Sequence, residues 1–414
     1  MGKSLLERLL SGMITSGKLQ ITLASGKELH FGESAAGYPD IAIRFTDGRV
    51  PRDIFTDPRL GAAEAYMDGR IVIEQGDVMD FVQLVQSNRP WEGGAELREP
   101  TALRRIKDKA VVAARSFNRP GSSRKNVSHH YDVGNALYRL MLDEEHMQYS
   151  CAYWPSDNMT LAQAQEAKLA HIAAKLAIQP GQRVLDIGCG WGGMAIYLAR
   201  KFDAEVLGIT LSSEQLKLAQ ERAEAAGVSA RAKFELVDYR DLAKRGEKYD
   251  RIVSVGMFEH VGVPQFETFF RACANLMPDD GVMLLHTIGR MGTPGRTDAF
   301  TDKYIFPGGY IPALSETVEA SEKFRLIATD VETLRLHYAK TLRQWYARCM
   351  RHRDAIVEMY DERFFRMWTF YLAGATSSFE NGGMCNYQIQ FARSRRALPL
   401  TRDYIGETER NLLA

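Results

Sequence analysis

The alternation of apolar and polar positions near the N-terminus predicts short strands and helices. Within residues 18–48, KLQITLA and IAIRFT alternate with the two-residue period of half-buried strands. Within residues 60–90, GAAEAYMDG, RIVIEQG and DVMDFVQLVQ predict a helix, a strand and a second helix. These elements predict a small α+β domain over residues 1–95.

From residue 160 the pattern changes to strands that alternate with helices. RVLDIG, AEVLGIT, AKFELVD, YDRIVSV and GVMLLHTI predict strands, and amphipathic segments lie between them. Repeated strand–helix units predict an α/β fold, with a mostly parallel sheet that carries helices on both faces. The last 80 residues are rich in aromatic residues and Met, and we expect helices there. This second domain spans residues 126–414.

A basic segment, residues 96–125, connects the two predicted domains. It is rich in Lys and Arg, and its NRPGSS sequence is typical of a flexible linker. Two interpretations remain open for the charge: a solvated linker helix, or attraction to anionic lipid headgroups, worth about 1 kcal/mol for each basic residue near such a surface.

Composition excludes several classes of protein. The formal net charge of +1 gives no global field for nucleic acid, so no nucleic-acid partner is expected. The five cysteines are scattered without a C-x-x-C pair, which predicts neither a metal site nor a disulfide framework and favours a reducing cytoplasm. No run approaches the ~20 apolar residues that span a bilayer, so we expect a soluble protein that meets lipid from the membrane surface.

The run VLDIGCGWGG at residues 184–193 is the sharpest local signal for a bound cofactor. Its glycines let a turn tighten after a strand and bring backbone close to a ligand before the next helix begins. The candidate cofactor contacts in this run are Asp186, Gly188, Cys189, Gly190, Trp191, Gly192 and Gly193.

A dinucleotide enzyme is an alternative, because Gly188, Gly190 and Gly193 also satisfy G-x-G-x-x-G. An NAD site usually has an acid at the end of the second strand, but this strand ends at Thr210. The acid instead precedes the glycines, which resembles the first motif of class I S-adenosylmethionine methyltransferases. In that arrangement Thr210 and Gln215 reach the ribose or carboxylate end of the cofactor. Asp238, Tyr239 and Arg240 follow the third strand, near the adenine, and loop-end capping is the alternative for all five residues.

Six motifs in order make the resemblance to one family specific. They are YSCAYWP, VLDIGCGWGG, VDYRDL, SVGMFEHVG, LLHTIG and KYIFPGG, within residues 125–391. This region resembles the bacterial cyclopropane-fatty-acyl-phospholipid synthases, which are related to the mycolic acid cyclopropane synthases. The resemblance implies a Rossmann-like class I methyltransferase fold and S-adenosylmethionine as cofactor. It also implies transfer of a methylene carbon to the cis double bond of unsaturated acyl chains in membrane phospholipids.

The same resemblance implies that a bound bicarbonate ion takes the proton from the carbocation. The five positions that hold this ion in the family are filled here by Cys151, Glu259, His286, Ile288 and Tyr338, and the family's cofactor contacts also include Tyr149 and Ser150. Each of these residues also has an ordinary structural role as an alternative. Family members commonly carry a cysteine where this chain has about Ala375, and Cys385 does not align with it.

Other functions on the same fold remain open. A fatty-acyl C-methyltransferase would use the same site and leave a methyl-branched or methylene product. A small-molecule methyltransferase would not need the five-residue anion cage, and a non-catalytic lipid-binding protein would not need an intact cofactor site. By resemblance we expect a homodimer that binds peripherally at the inner face of the cytoplasmic membrane, with the N-terminal domain serving dimer contact or lipid docking.

Overall fold

The computed structural model describes residues 5–58, 60–94 and 134–414, so the predicted basic linker lies outside the described residues. The chain forms two compact units. One comprises Met1–Leu97, Thr297–Pro307 and Ala339–Gly383, and the other comprises Arg98–Arg296, Gly308–Tyr338 and Met384–Ala414. Two later segments of the chain, Thr297–Pro307 and Ala339–Gly383, therefore belong to the first unit, whereas the predicted domains, 1–95 and 126–414, were each continuous.

The first unit contains a four-stranded mixed sheet and several helices. Its elements are α1 (Leu5–Ser11), β1 (Lys18–Thr22), β2 (Glu28–Phe31), β3 (Asp40–Phe45), α2 (Val50–Thr56), α3 (Gly61–Met67), β4 (Ile71–Gln75) and α4 (Val78–Ser87), followed from the C-terminal half by most of α12 (His337–Arg351), α13 (Arg353–Met359) and α14 (Glu362–Glu380). The strand order is β2-β1-β3-β4, with β1 parallel to β3 and the other pairs antiparallel. The predicted strands and helices of residues 18–90 are present.

The core of the first unit follows from the strand periodicity. In β3, Ile41, Ile43 and Phe45 are buried, and alternate residues point to the other face. Helix α14 packs on α3 and α4. Among the residues that the structure describes, no helix is both long enough and apolar enough to cross a membrane.

The second unit contains a seven-stranded sheet. Its elements are α5 (Asn135–Met141), α6 (Leu161–Leu176), β5 (Arg183–Ile187), α7 (Gly193–Lys201), β6 (Glu205–Thr210), α8 (Ser213–Ala225), β7 (Ala232–Leu236), α9 (Tyr239–Leu242), β8 (Arg251–Val255), α10 (Phe266–Leu276), β9 (Val282–Arg290), α11 (Leu314–Glu322), β10 (Ile327–Leu334), β11 (Met384–Ala392) and α15 (Asp403–Leu413). The order is β10-β11-β9-β8-β5-β6-β7. The five strands from β9 to β7 are parallel, and β11 is antiparallel to both β9 and β10.

Apolar residues cover both faces of this sheet, as the alternating pattern predicts. Val184 packs in one core cluster with residues of α6 and α7, and the next residue, Leu185, packs in another with residues of α10. The fold prediction is therefore confirmed. Since β5, β6, β8 and β9 run parallel, their carboxyl ends meet at one edge, where ligands bind in such sheets.

The expectation of helices throughout the last 80 residues is wrong for Met384–Ala392, which forms strand β11. Its sequence, MCNYQIQFA, alternates polar and apolar residues, but nearly all of them are buried. The polar positions Asn386, Gln388 and Gln390 lie on one face of the strand, toward hydrogen-bonding partners, and the apolar positions lie on the other. A buried strand with a polar face is difficult to recognise from hydrophobicity alone.

Candidate active site

The glycine-rich turn joins β5 to α7 at the carboxyl edge of the sheet. The backbone N–H groups of Gly188 and Cys189 both donate to the Ile209 carbonyl oxygen, at 2.9 and 3.0 Å. Gly190 has a φ of 54°, in the left-handed region that favours glycine, and a Cβ placed on it would meet no atom within 4 Å. Hydrogen bonds therefore hold the turn to β6, and the space next to the Gly190 Cα is free for a ligand.

The neighbouring residues of the turn have packing roles. A Cβ on Gly193 would collide with the carbonyl oxygen of His146, and one on Gly192 would lie 2.8 Å from the ring of Phe234. The Cys189 side chain lies in the core cluster that includes Phe234. The Cys189 thiol also donates to the Gly190 carbonyl oxygen at 3.8 Å, within the turn. Contact of Cys189 with the cofactor stays a prediction.

Asp186 is the penultimate residue of β5, just before the turn, and its side chain is buried. Its Oδ2 atom has no hydrogen-bond partner among the described residues. Burial raises the pKa of Asp186 to about 7, and the positive charge of Lys168 opposes that rise. A buried acceptor without a partner can be satisfied by a ligand donor such as the amino group of S-adenosylmethionine.

Thr210 and Gln215 lie together at the end of β6 and the start of α8. The Thr210 hydroxyl donates to Gln215 Oε1 at 2.8 Å and accepts the Ser212 N–H at 3.1 Å. The Gln215 Nε2 group is buried without a partner in the described part of the chain. The Gln215 amide is therefore oriented by Thr210 and retains a donor for a ligand oxygen.

The three residues predicted near the adenine have visible structural roles. The Asp238 carboxylate caps α9 and accepts from Arg240 through the backbone N–H at 2.9 Å, Nε at 2.8 Å and a terminal nitrogen at 2.6 Å. The Tyr239 ring packs edge-on against Phe269 in the core, at 5.4 Å between ring centroids. Contact of these residues with adenine stays a prediction.

An aromatic cluster flanks the glycine turn. The ring of Tyr138 lies 5.0 Å from that of Tyr149 and 5.0 Å from that of Trp191. The Trp191 indole N–H donates to Asn135 Oδ1 at 3.0 Å. The structure thus brings two predicted cofactor contacts, Tyr149 and Trp191, into one cluster.

Ser150 and Cys151 follow Tyr149 in a buried segment that helix α6 holds. The Ser150 hydroxyl accepts from Lys168 Nζ at 3.0 Å, and the Ser150 carbonyl accepts from Gln165 Nε2 at 3.1 Å. The Cys151 thiol is fully buried, which raises its pKa well above the usual range. Sequence reasoning missed Gln165 and Lys168, although two polar residues three apart on a buried helix were a readable signal.

Glu259 lies in a short 3-10 turn after β8, and its carboxyl group is buried. The Ile288 N–H donates to Glu259 Oε1 at 2.6 Å, while Oε2 has no partner among the described residues. Burial raises the pKa of Glu259 to about 7, and hydrogen bonds from backbone groups and from the Thr287 side chain oppose that rise. The site therefore holds a carboxyl that can change protonation near neutral pH, with one oxygen left for a ligand.

His286 is buried in β9 and contacts two amides of β11. Its Nε2 lies 3.1 Å from Asn386 Nδ2, and its Nδ1 lies 3.2 Å from Gln388 Nε2. Burial lowers the pKa of His286 well below the usual value, so the ring is neutral. A neutral imidazole has one donor and one acceptor, so one amide must present its oxygen to the ring. Sequence reasoning missed both amides because it did not predict β11.

Tyr338 lies buried in the first turn of α12, and its neighbour His337 anchors that turn. The Trp154 backbone N–H donates to His337 Nδ1 at 2.8 Å. Tyr153 stacks on His337 at 5.0 Å and on His171 of α6 at 4.1 Å. These contacts connect the start of α12 to the segment that follows Cys151.

Backbone contacts bring several of the predicted site residues to one place. The Gly256 N–H donates to the His286 carbonyl at 2.9 Å, and a Cβ on Gly256 would lie 3.8 Å from Ser150 Cβ. Together with the Glu259–Ile288 hydrogen bond, these contacts gather Ser150, Glu259, His286 and Ile288 around the ends of β8 and β9. A shared cage that also includes Tyr338 stays a prediction.

The sheet order, the glycine turn after β5 and the buried acid before that turn define a class I S-adenosylmethionine-dependent methyltransferase. Residues 119–389 match the family described as mycolic acid cyclopropane synthetase. The chain belongs to this family and is an S-adenosylmethionine-dependent enzyme of the cyclopropane synthase type.

Similar proteins support this assignment along most of the chain. The cyclopropane-fatty-acyl-phospholipid synthase of Escherichia coli (strain K12) is 40% identical over 354 residues, covering 85% of this chain and 87% of its own. A probable fatty acid methyltransferase of Pseudomonas putida is 34% identical, covering 93% and 95% of the two chains. The solved structure of the cyclopropane synthase MmaA2 from Mycobacterium tuberculosis has a TM-score of 0.62 and 32% identity, covering 65% of this chain and 98% of its own.

Proposed function

We propose that this protein transfers a methylene carbon from S-adenosylmethionine to the cis double bond of unsaturated acyl chains in membrane phospholipids, forming a cyclopropane. The 40% identity to a relative named for this reaction, extending over most of both chains, supports the substrate class. The main structural support for the reaction is the buried Glu259 carboxyl. Its Oε1 accepts the Ile288 N–H, and its Oε2 has no partner among the described residues.

The reaction places specific demands on the residues around the double bond. Bound S-adenosylmethionine supplies an electrophilic methyl group, and the carbon chain that accepts it becomes a carbocation. Such a cation needs nearby negative charge and the exclusion of water. Glu259 supplies the charge when ionised, and Cys151 and His286 are both buried from solvent.

We propose that a bicarbonate ion, held near Glu259, completes this site. When bound, bicarbonate supplies the base for the proton that leaves the new methyl group. The unpartnered Glu259 Oε2 fits this ion, because it can accept the ion's O–H group. In the described structure the Ile288 N–H donates to Glu259, and both His286 nitrogens contact β11 amides. Direct contacts of Ile288 and His286 with the ion would therefore replace these hydrogen bonds.

The location and assembly of the protein follow as proposals from this substrate. Because the acyl chains lie in a bilayer, we propose peripheral binding at the inner face of the cytoplasmic membrane. The five cysteines are all free and buried, which agrees with a reducing compartment. We also propose a homodimer, since two linked membrane-binding surfaces bind more tightly than one. The basic segment and the N-terminal domain are the candidates for lipid docking and dimer contact.

Mass spectrometry of the product tests the reaction. Purified protein is incubated with unsaturated phospholipid vesicles and methyl-deuterated S-adenosylmethionine, and the fatty acids are then analysed. A ring that carries two deuterium atoms is expected, because one methyl proton leaves when the ring closes. Absence of any labelled fatty acid would contradict the proposed substrate class.

A fatty-acyl methyltransferase is the second candidate, supported by the Pseudomonas putida relative. The same cation would then undergo a hydride shift instead of ring closure, since its fate depends on small differences in base placement. The shifted cation would lose a proton from a chain carbon to give an alkene, or accept a hydride from an added reductant. A methyl branch that retains all three deuterium atoms would identify this reaction. The same assay, repeated after removal of dissolved carbon dioxide, tests the identity of the base independently of the product. Lost turnover supports a bicarbonate base, and full turnover refutes it.

A further inference from the structure

The segment from Asp143 to Cys151 contains neither helix nor strand, although most of it is buried. The first half of this segment is held in place by the side chain of its first residue, Asp143. The Asp143 carboxylate accepts the N–H groups of His146, Met147 and Gln148, at 2.6, 3.1 and 3.0 Å. The second half, which includes Tyr149 and Ser150, must be held by other parts of the protein, since no sheet or helix ladder fixes it.

Helix α6 supplies that support through two residues. Gln165 Nε2 donates to the Ser150 carbonyl at 3.1 Å and to the Gln148 carbonyl at 3.4 Å. Lys168 Nζ donates to the Ser150 hydroxyl at 3.0 Å and to Gln148 Oε1. Because residues three apart lie on the same face of a helix, Gln165 and Lys168 both hydrogen-bond to Gln148 and Ser150.

The burial of Lys168 lowers the stability of the folded protein. Its side chain has no exposed surface, and no Asp or Glu within residues 5–58, 60–94 and 134–414 forms an ion pair with it. Burial lowers the pKa of Lys168 to about 7, and the negative charges of Asp143 and then Asp186 oppose the shift. A buried ammonium that binds only neutral oxygens is unfavourable for stability, so its position points to a role in the site.

Lys175 provides a contrast on the same helix. It is equally buried, two turns further along, but its ammonium pairs with Asp330 at 3.4 Å and with Glu332. Its charge is thus compensated by carboxylates, away from the Tyr149–Cys151 segment. The two lysines share a helix and full burial, and they differ in the groups that they contact.

We propose that Lys168 is a positioning residue for the cofactor, whose ammonium fixes the Ser150 hydroxyl and thereby sets Tyr149 and Ser150 beside the glycine turn. Ser150 Cβ lies 3.8 Å from the Cβ position of Gly256, so a shift of this segment also reaches the end of β8. The inference rests on the cofactor contacts expected of Tyr149 and Ser150. It assigns to Lys168 an effect on cofactor affinity, not on the chemical step.

Substitution of the two lysines tests the proposal. Lys168→Met should raise the dissociation constant of S-adenosylhomocysteine, measured by calorimetry on the folded protein, at least tenfold. It should raise the KM for S-adenosylmethionine similarly while the KM for lipid stays unchanged. Lys175→Met should lower the melting temperature without changing cofactor affinity. An equal affinity for both variants would overturn the proposal, since a purely structural role changes the amount of folded enzyme and not the KM.

A double-mutant cycle with Ser150→Ala tests whether Lys168 acts on the cofactor through the Ser150 hydroxyl. If the lysine acts through Ser150, the double variant should bind the cofactor about as weakly as the weaker single variant. Multiplied losses would refute that route. Lys168→Gln, which is shorter and neutral, replaces Met where Met fails to fold. If Ser150→Ala alone leaves the cofactor affinity unchanged, the predicted contact between Ser150 and the cofactor is wrong. This result is distinct from one in which Ser150→Ala weakens binding and Lys168→Met does not, which would refute only the role of Lys168.

Discussion

Replacement of Glu259 by Gln is expected to make the protein more stable and nearly inactive. Gln keeps the shape of the side chain and can still accept the Ile288 N–H, which lies 2.6 Å from Glu259 Oε1. It removes the negative charge and places a donor where the unpartnered Oε2 now lies. The cofactor should still bind, because Asp186 and the glycine turn are unchanged, but the site loses its anionic group.

The size of the stability change follows from the pKa of Glu259. Burial raises this pKa from 4.5 to about 7. A difference of about 2.5 units corresponds to about 3 kcal/mol, at ~1.36 kcal/mol per unit. Since the folded pKa exceeds the unfolded one, this group's contribution is complete below about pH 4.5 and is lost as the pH rises through about 7. The variant does not suffer that loss, so its free energy of unfolding, relative to wild type, should increase by about 2–3 kcal/mol between pH 5 and pH 8.

Urea unfolding of both proteins without ligands at pH 5 and pH 8 measures this difference, and vesicle assays measure turnover. Glu235→Gln is a matched control, because Glu235 is a surface carboxylate paired with Arg245. A pH-independent stability difference for Glu259→Gln would refute the desolvated carboxyl. Full activity of the Glu259→Gln variant would refute the anion site.

Two further substitutions test the cofactor site. Gly190→Val should preserve the circular dichroism spectrum but weaken S-adenosylhomocysteine binding about a hundredfold, because its side chain fills the open space above the turn and left-handed backbone costs a branched residue ~1–2 kcal/mol. Calorimetry that shows unchanged binding would place the cofactor elsewhere. Asp186→Asn should weaken the same binding about tenfold, the cost of one charge-assisted hydrogen bond. Wild-type affinity would show that Oδ2 does not face the cofactor.

Local patterns were sufficient to predict the five parallel strands of the second unit and the glycine turn. Each parallel strand is a short apolar run, and the turn residues carry their own backbone requirement, as Gly190 shows with its φ of 54°. Asp186, in β5, and Glu259, in the 3-10 helix after β8, are both buried, as the apolar sequence around them predicts. Their roles as ligands stay predictions.

The features that sequence reasoning missed depend on contacts between distant parts of the chain. Asn386 and Gln388 reach His286 only because β11 inserts between β9 and β10, and alternating amides give no apolar signal for that strand. Lys168 is one more lysine in a helical sequence until its burial beside Ser150 is known. The inclusion of Ala339–Gly383 in the first unit likewise has no local signature.

The packing of α14 on α3 and α4 determines the order in which the first unit can be completed during synthesis. Asn381 Nδ2 donates to Gln83 Oε1, and the two residues are 298 positions apart in the chain. At ~5–20 residues per second, the ribosome needs roughly 15–60 s to make the intervening chain. During that time β5 to β10 emerge, while the surfaces of α3 and α4 that α14 will cover have no permanent partner. A chain that stops before α14 leaves those surfaces uncovered, so the first unit cannot be completed until α14 has been synthesised.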